Sequence, residues 1–216
     1  MNPEKYIKYI YQNDKIKIVG FKTGKVEIFK TNENSQLELI SELFDHKNEI
    51  IHIHYNERLN MICSTSKDGY INVYSFPNKL ITTIKNPNNS FFDLVFLCSN
   101  PFPALVALEK ENMNLYSFTI NGFRIKNANI FSVLELEHNE QRELYTIPNF
   151  NEKGGTFKDR LIFIEHEIIT TPIEKEKKEK EKEKKKEKEK EYLFKCYFVR
   201  VPFFEKEEKV IEIKQK

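Results

Sequence analysis

Three residues of the types that form a nucleophilic triad lie within one stretch of the chain: His46, Ser64 and Asp68. In such a triad the histidine takes a proton from the serine, and the aspartate orients the histidine. Many serine hydrolases hold the serine in a Gly-x-Ser-x-Gly turn, which exposes its hydroxyl group. Ser64 lies instead in the run Ile62-Cys63-Ser64-Thr65-Ser66. We therefore predict a structural use for these three residues, no catalytic residue and no enzymatic activity.

Histidines, glycines and cysteines that could bind a metal ion or a phosphate group do not stand in the patterns that such sites need. His52 and His54 would share one face of a strand and could hold a metal ion with a third ligand, but no cysteine or carboxylate stands at a telling spacing. The pair Gly154-Gly155 has no glycine-rich phosphate loop around it. We predict no metal and no cofactor. The cysteines are too far apart for a zinc motif or a disulfide framework, which suggests a reducing compartment: Cys63, Cys98 and Cys196.

The elements that must position these residues are short β-strands separated by glycine turns. Isoleucine, valine, phenylalanine and tyrosine recur in short clusters while alanine is rare, which favours strands over helices. Turns at Gly24, Gly69 and Gly122 each separate two strand-like runs. In Asp68-Gly69 and Asn121-Gly122 both turn residues can adopt positive φ, so we predict a hairpin at each. The flanking runs are residues 16–21 and 25–29, 58–64 and 70–76, and 115–120 and 123–125.

The strands repeat along the chain. The run Gly24-Lys-Val-Glu-Ile-Phe29 matches Gly69-Tyr-Ile-Asn-Val-Tyr74 at an offset of 45, and Tyr74-Ser-Phe76 matches Tyr116-Ser-Phe118 at an offset of 42. A period in the low forties with four short strands is the spacing of a β-propeller blade. A single blade cannot bury both of its faces, so blades must stack on one another.

The second repeat carries the clearest motif. Asp45-His46 stands where WD40 repeats carry Gly-His, and residues 50–69 follow in the order strand, turn, strand and hairpin. The chain thus resembles the WD40 family, in which a buried His, Ser or Thr, Asp and Trp form a hydrogen-bond network that locks each blade. The resemblance assigns His46, Ser64 and Asp68 to three of these positions, and Tyr74 to the fourth because the chain has no Trp. It implies an all-β, partial propeller of three to four four-stranded blades.

A narrower resemblance follows from the order of several motifs between residues 59 and 125. These are residues 64–69 (STSKDG), 72–77 (NVYSFP), 91–95 (FFDLV), 99–104 (SNPFPA) and 114–122 (NLYSFTING). This succession resembles the C-terminal WD40 region of BEACH-domain proteins of the neurobeachin type. Residues 157–163 then look like the opening of the last blade, and residues 197–206 like its closing strand. The resemblance implies a non-catalytic protein-interaction scaffold in vesicle and lysosome-related membrane trafficking. The alternative is an unrelated WD40 adaptor in a ubiquitin-ligase or cytoskeletal complex.

Charge is concentrated in one tract. The chain has 35 basic and 33 acidic residues, of which residues 174–191 hold ten and eight, leaving 25 of each. The remainder is neutral, so we predict no nucleic-acid partner. The tract has no apolar residue and is predicted to be a solvated low-complexity loop inserted in the last blade. The predicted organisation is therefore residues 1–173 as blades, 174–191 as the insertion, and 192–216 as closing strands and a C-terminal tail.

The predicted ring is incomplete. A seven-bladed propeller needs roughly 280 residues, so the terminal sheets would present uncovered faces. We expect either residues upstream of Met1 or a partner to complete the ring, and favour the former. No apolar run has the length of a signal peptide or a membrane span. We expect a cytoplasmic protein with protein partners of unknown identity, associated with vesicle membranes peripherally through a larger parent protein.

Overall fold

The structure, a computed structural model, describes residues 7–99, 102–136, 143–149, 160–172 and 188–215. These residues form four antiparallel four-stranded sheets, and each sheet pairs its strands in chain order. Sheet 1 contains β1 (Ile7–Gln12), β2 (Ile16–Phe21), β3 (Val26–Thr31) and β4 (Leu37–Leu43), and sheet 2 contains β5 (Ile50–Asn56), β6 (Met61–Ser66), β7 (Tyr70–Ser75) and β8 (Lys79–Lys85). Sheet 3 contains β9 (Leu94–Cys98), β10 (Ala104–Glu109), β11 (Asn114–Thr119) and β12 (Arg124–Asn129), and sheet 4 contains β13 (Glu143–Asn149), β14 (Arg160–Pro172), β15 (Lys188–Arg200) and β16 (Glu205–Gln215).

The sheets stack face to face in chain order, and an apolar cluster fills each junction. Ile18, Val26 and Ile28 of sheet 1 pack against Ile53 and Ile62 of sheet 2. Similar clusters join sheets 2 and 3 and sheets 3 and 4. The first strands β1, β5 and β9 lie beside one another. Strands β6 and β10 are buried along their whole length because their sheets are covered on both faces, whereas β8 at the outer edge is mostly exposed.

Three hairpin turns carry the predicted glycines. Gly24, Gly69 and Gly122 have φ of 88°, 83° and 88°, and each donates its N–H to the carbonyl three residues earlier. Neither Asp68 nor Asn121 has a positive φ. This is the pattern of a three-residue loop that ends in a left-handed glycine. The predicted hairpins are therefore confirmed, and in each of them only the glycine takes the positive φ.

The glycine of one hairpin also contacts the loop that enters the next sheet. A Cβ atom on Gly24 would lie 2.5 Å from the carbonyl oxygen of His46 and 2.9 Å from that of Asn48. One on Gly69 would lie 2.8 Å from the carbonyl oxygen of Ser90. Glycine at these two turns therefore satisfies both the positive φ and the close approach of neighbouring sheets.

We expect Gly24→Ala to lower the free energy of unfolding by about 2 kcal/mol or more, because it combines left-handed strain with a backbone clash. Gly122→Ala is the matched control. Its φ is the same, but its nearest neighbour is the side-chain atom Thr82 Oγ1 at 3.1 Å, so we expect only the conformational cost of about 1 kcal/mol. Urea unfolding followed by circular dichroism measures both. Equal losses would show that the contact between sheets is unimportant.

The last sheet departs from the predicted arrangement. Residues 157–163 were predicted to open it, but β13 is its first strand and Arg160 begins the second. Residues 197–206 were predicted to be its closing strand; they are instead the end of β15, a turn at 201–204 and the start of β16. Residues 205–215, predicted in part as a tail, form that closing strand. The sequence misled because each of these runs is apolar and alternating, and alternation does not identify which strand of a sheet it belongs to.

The Lys/Glu tract lies between β14 and β15, as predicted for a hairpin insertion. Residues 174–187 are outside the described residues, while residues 188–191 extend β15 and pair with residues 169–172 of β14. A short helix that was not predicted, α1 (Ile130–Leu134), follows β12, and the Asn129 side chain accepts the N–H of Phe131 at its start. Among the described residues, no helix has the length and apolar character needed to cross a bilayer.

Candidate functional site

His46, Ser64 and Asp68 come together in sheet 2. His46 lies in the loop between β4 and β5, Ser64 lies within β6, and Asp68 lies in the turn after it. His46 Nδ1 is 3.0 Å from Asp68 Oδ2, and His46 Nε2 is 2.9 Å from Ser64 Oγ. The carboxylate can only accept, so Nδ1 donates to it and Nε2 accepts the Ser64 hydroxyl proton. The histidine thereby joins the entering loop to two parts of one hairpin.

Asp68 also organises the backbone around it. Its Oδ2 accepts the N–H of Lys47 at 2.9 Å and its Oδ1 accepts the N–H of Tyr70 at 3.0 Å. Burial acts to raise the pKa of Asp68, but the hydrogen bonds from His46 and from these amides outweigh it and hold the pKa below its usual value. The ionised carboxylate therefore fixes the turn and the entering loop.

Tyr74, the fourth predicted member, lies on β7 with no exposed surface. Its hydroxyl donates to Asp45 Oδ2 at 3.2 Å, so it reaches the residue before His46 in the entering loop. Burial, and next the negative charge of Asp45, raise the pKa of the Tyr74 hydroxyl. The structure thus gathers all four residues around one loop, and their role in stabilising the sheet remains a prediction.

The distances between His46, Ser64 and Asp68 are those of a catalytic triad, but the surroundings are different. Ser64 has no exposed surface and His46 is 5% exposed. A hydroxyl nucleophile must touch its substrate, and Ser64 Oγ is sealed between sheets. The arrangement can hold a loop in place, and it gives a substrate no access to the hydroxyl oxygen.

We expect His46→Ala to lower the free energy of unfolding by about 2 kcal/mol, because the buried Ser64 hydroxyl and part of the Asp68 carboxylate lose their partner. Ser64→Ala removes one of the two hydrogen bonds and should cost about 1 kcal/mol. Urea unfolding of the wild type and both variants measures the two losses of stability. Unchanged midpoints in both would mean that the network does not contribute to stability.

A second polar network, which sequence reasoning missed, is centred on Glu109 at the end of β10. This carboxylate has no exposed surface and accepts hydrogen bonds from five side chains: Ser90, Asn88, Asn112, Asn114 and Tyr116. Burial acts to raise the pKa of Glu109, but the hydrogen bonds, led by that of Ser90, hold it below its usual value.

The Glu109 arrangement is repeated in sheet 4. Tyr116 pairs with Ala107, two residues before Glu109, and Tyr197 pairs with Phe163, two residues before Glu165. Each tyrosine donates to its glutamate, at 3.1 and 2.6 Å. In sheet 2 the same spacing relates Tyr74 to Ser64. The feature shared by the two sheets is a glutamate that lies two residues beyond the cross-strand partner of a tyrosine.

His52 and His54 lie on β5, on the face that packs against sheet 3. His54 Nδ1 accepts the N–H of Leu97 at 3.2 Å, and the His54 ring lies edge-on to Tyr11 and Phe96. Burial lowers the pKa of His52 to about 4 and, with the charge of His52, that of His54 to about 3. Among the described residues no group of three or more histidine, cysteine or acidic side chains could hold a metal ion.

Comparison with known proteins bears on the fold. No protein-family model matches the chain, and a search of curated proteins finds no match. A chain of the Mitotic Checkpoint Complex is similar, with a TM-score of 0.57 and 10% identity over 95% of this chain and 52% of that one. The computationally designed Ika4 protein has a TM-score of 0.50 and 12% identity over 73% of this chain and 83% of that one. The β-propeller domain of Cps50 (Swd1) from Myceliophteria thermophila has a TM-score of 0.48 and 15% identity over 57% and 41%.

The chain has the fold of a partial WD40-type β-propeller. The predicted all-β class is therefore confirmed, with four blades formed by sheets 1–4. The chain spans 52% of the length of the similar chain in the Mitotic Checkpoint Complex and 41% of the length of the Cps50 domain. At these identities the likeness shows the fold alone.

The meander topology of the propeller places its loops on two rims. The first rim carries the hairpins between the second and third strands of each sheet and the connections between sheets; the second rim carries the other hairpins. Phe44 on the first rim is 67% exposed, and Phe123 on the second is 75% exposed. Also on the second rim, Phe102 contacts Phe203 of the next blade, with ring centroids 5.9 Å apart.

Proposed function

We propose that this propeller is a non-catalytic protein-interaction scaffold. The observation that carries the proposal is the distribution of side chains: the triad-like residues are buried, whereas large aromatic rings are exposed on both rims. Exposed aromatic side chains anchored on a rigid framework are typical of protein-binding surfaces. Phe44 is held in such a position, because Lys25 Nζ lies 5.7 Å from its ring centroid and 5.8 Å from that of Phe21.

The finer proposal is membership of a BEACH-type scaffold in vesicle or lysosome-related trafficking, located in the cytoplasm and peripheral to membranes. It is supported by the order of the sequence motifs between residues 59 and 125. Their turn glycines, Gly69 and Gly122, lie in hairpins of the same type. An unrelated propeller adaptor is the alternative, since one similar chain belongs to a multi-protein checkpoint assembly.

Affinity purification tests the interaction role, with Phe44→Ser and Phe123→Ser as variants of the two rims. The matched control is Leu80→Ser, because Leu80 is 41% exposed but lies on an outer strand. We expect at least one rim variant to lose partners that the wild type and the control retain. Partners from vesicle-trafficking machinery support the finer proposal, and ubiquitin-ligase or cytoskeletal subunits support the alternative. Identical partners for all three variants would contradict a role for the rims.

Hydrolase activity is tested with the same His46→Ala variant that tests stability. We expect no turnover of ester substrates by the wild type above a buffer blank. Turnover that His46→Ala abolishes, without a change in the unfolding midpoint, would overturn the non-catalytic proposal.

A further inference from the structure

Acidic residues are absent from two long stretches of the sequence. The chain has 33 acidic residues, yet residues 69–92 and residues 112–134 contain none. The first stretch includes the β7–β8 hairpin and the second includes the β11–β12 hairpin, so both contribute to the second rim in neighbouring sheets. The basic residues of these two hairpins are exposed: Lys79, Arg124 and Lys126. This part of the rim is therefore positively charged, although the chain outside the Lys/Glu tract is neutral.

The tip of the β11–β12 hairpin presents an aromatic ring in a fixed position. Phe123 is 75% exposed, and its backbone is held by Thr119 on both sides. The Phe123 N–H donates to Thr119 Oγ1 at 3.1 Å, and the Phe123 carbonyl accepts the N–H of Thr119 at 2.8 Å. Gly122 lies close to β8 of the preceding sheet, since a Cβ atom on it would be 3.1 Å from Thr82 Oγ1. The ring thus projects from a rigid turn, directly before the exposed Arg124.

Two further rings lie on the same rim and join sheets 3 and 4. Phe102 in the β9–β10 hairpin and Phe203 in the β15–β16 hairpin contact each other and are 37% and 39% exposed. Lys126 Nζ donates to the carbonyl oxygen of Phe203. A carbonyl oxygen has no formal charge, so Lys126 keeps its positive charge at this contact. We call these six residues the basic aromatic surface: Lys79, Phe102, Phe123, Arg124, Lys126 and Phe203.

The acidic residues of the two hairpins that border this surface lie beside basic partners. In the β15–β16 hairpin, Arg200 Nε is 3.0 Å from Glu207 Oε1, and Glu205 lies opposite Arg200 in the strand pairing. In the β5–β6 hairpin, Glu57 forms an ion pair of 3.2 Å with Lys15. These carboxylates are therefore matched by nearby basic groups and leave the charge of the basic aromatic surface in place.

We propose that the basic aromatic surface docks on a lipid bilayer that contains anionic lipids. The inference rests on the peripheral membrane location proposed above, and it names the surface and the lipid class responsible. The rings would enter the boundary between headgroups and acyl chains, while the basic side chains contact the anionic headgroups. Both attractions are needed, because neither a few aromatic rings nor a few basic groups alone hold a protein firmly on a membrane.

The shape of the surface favours a bilayer over a protein segment. The rings come from three separate hairpin turns on one rim, so a flat bilayer can meet all of them at once. Phe123 projects from its turn, whereas recognition of a peptide typically uses a groove or a pocket. Sheets 2 and 3 each have a neighbouring sheet on both sides within the chain, so the exposure of Phe123 and Lys79 does not depend on any further sheet.

Co-sedimentation of the 216-residue chain with vesicles tests the aromatic part of the proposal. Phosphatidylcholine vesicles with about one third phosphatidylserine should bind the wild type at least tenfold more tightly than pure phosphatidylcholine vesicles, because each basic group adds about fivefold at an anionic surface. Phe123→Ser should weaken this binding about tenfold, since it removes the most exposed of the three rings. Phe44→Ser is the matched control, because Phe44 is 67% exposed on the first rim. It should bind as the wild type does.

A pair of double variants tests the charge. Lys79→Gln with Arg124→Gln should weaken binding to the anionic vesicles at least tenfold. The control is Lys22→Gln with Lys110→Gln, which removes the same charge from exposed positions on the first rim and should leave binding unchanged. The Lys/Glu tract is intact in all of these variants, so its own attraction to lipid cannot produce a difference between them. Urea unfolding checks that each variant is folded.

The outcomes separate the lipid inference from the scaffold proposal. No vesicle binding, no preference for the anionic vesicles, an unchanged affinity of Phe123→Ser, or equal binding by the two double variants would each overturn the lipid inference. If Phe123→Ser also loses protein partners in the affinity purification while no vesicles bind, the surface belongs to a protein partner and the scaffold proposal is supported. Vesicle binding that follows the expected order, with protein partners unchanged in every variant, supports the lipid inference and contradicts the protein-binding role of the rims.

Discussion

Lowering the pH from 7.5 to 5 should reduce the free energy of unfolding through His52 and His54. The pKa values of about 4 and about 3 lie below the ordinary 6.5, so below pH 6.5 the unfolded chain takes up protons that the folded chain refuses. His54, which is 5% exposed, should lower the free energy of unfolding at pH 5 by about 2 kcal/mol. The half-buried His52 should lower it by at most about the same amount again. The loss should continue as the pH falls to the folded-state values.

Urea unfolding at pH 7.5, 6.5 and 5 measures this dependence. Carboxylates with lowered pKa values, such as Asp68 and Glu109, lose their contribution only at still lower pH. Burial raises the pKa of Asp93, so this group acts in the opposite direction, and these carboxylates do not account for a loss between pH 7.5 and 5. His54→Asn keeps an acceptor for the N–H of Leu97 and should roughly halve the slope, and the double variant with His52→Asn should nearly remove it. An unchanged slope in the double variant would assign the acid sensitivity to other groups.

Glu109→Ala should lower the free energy of unfolding by about 3 kcal/mol or more. The substitution removes the acceptor of five side-chain hydrogen bonds, and hydrogen bonds to a charged group are among the strongest in proteins. Glu109→Gln keeps the shape but turns one acceptor into a donor that faces other donors, so about half of that loss is expected.

Glu111→Ala is the control for Glu109→Ala, since Glu111 lies in the same hairpin with its side chain exposed. Its effect should stay within about 0.5 kcal/mol. Thermal and urea unfolding of Glu109→Ala, Glu109→Gln and Glu111→Ala measure which variant loses the most stability. A loss for Glu109→Ala no larger than that for Glu111→Ala would mean that water replaces the carboxylate without cost.

Much of the fold could be predicted because a few residues carry strong conformational constraints. Gly24, Gly69 and Gly122 mark three hairpins, and the runs after Gly24 and Gly69, 45 residues apart, reveal the repeat. His46 lies in the loop that enters sheet 2, and Asp68 lies in the β6–β7 turn. Both occupy fixed places in the repeat, so their hydrogen bond could be predicted from the sequence.

What could not be predicted depends on contacts between distant residues. A glutamate at the end of an apolar strand, such as Glu109, reads as a surface residue, because its donors come from loops that only the fold brings near. The strand order of the last sheet was missed because the Lys/Glu tract breaks the spacing that identified strands elsewhere.

The packing of the β2–β3 and β6–β7 turns limits where the chain can grow. Gly24 and Gly69 are pressed against the backbone entering the next sheet, so extra residues there would force two sheets apart. The corresponding hairpin of sheet 4 joins β14 to β15, and the Lys/Glu tract lies there. Because the sequence already carries the 18-residue tract at residues 174–191, this hairpin is the place where we expect an inserted reporter domain to be tolerated.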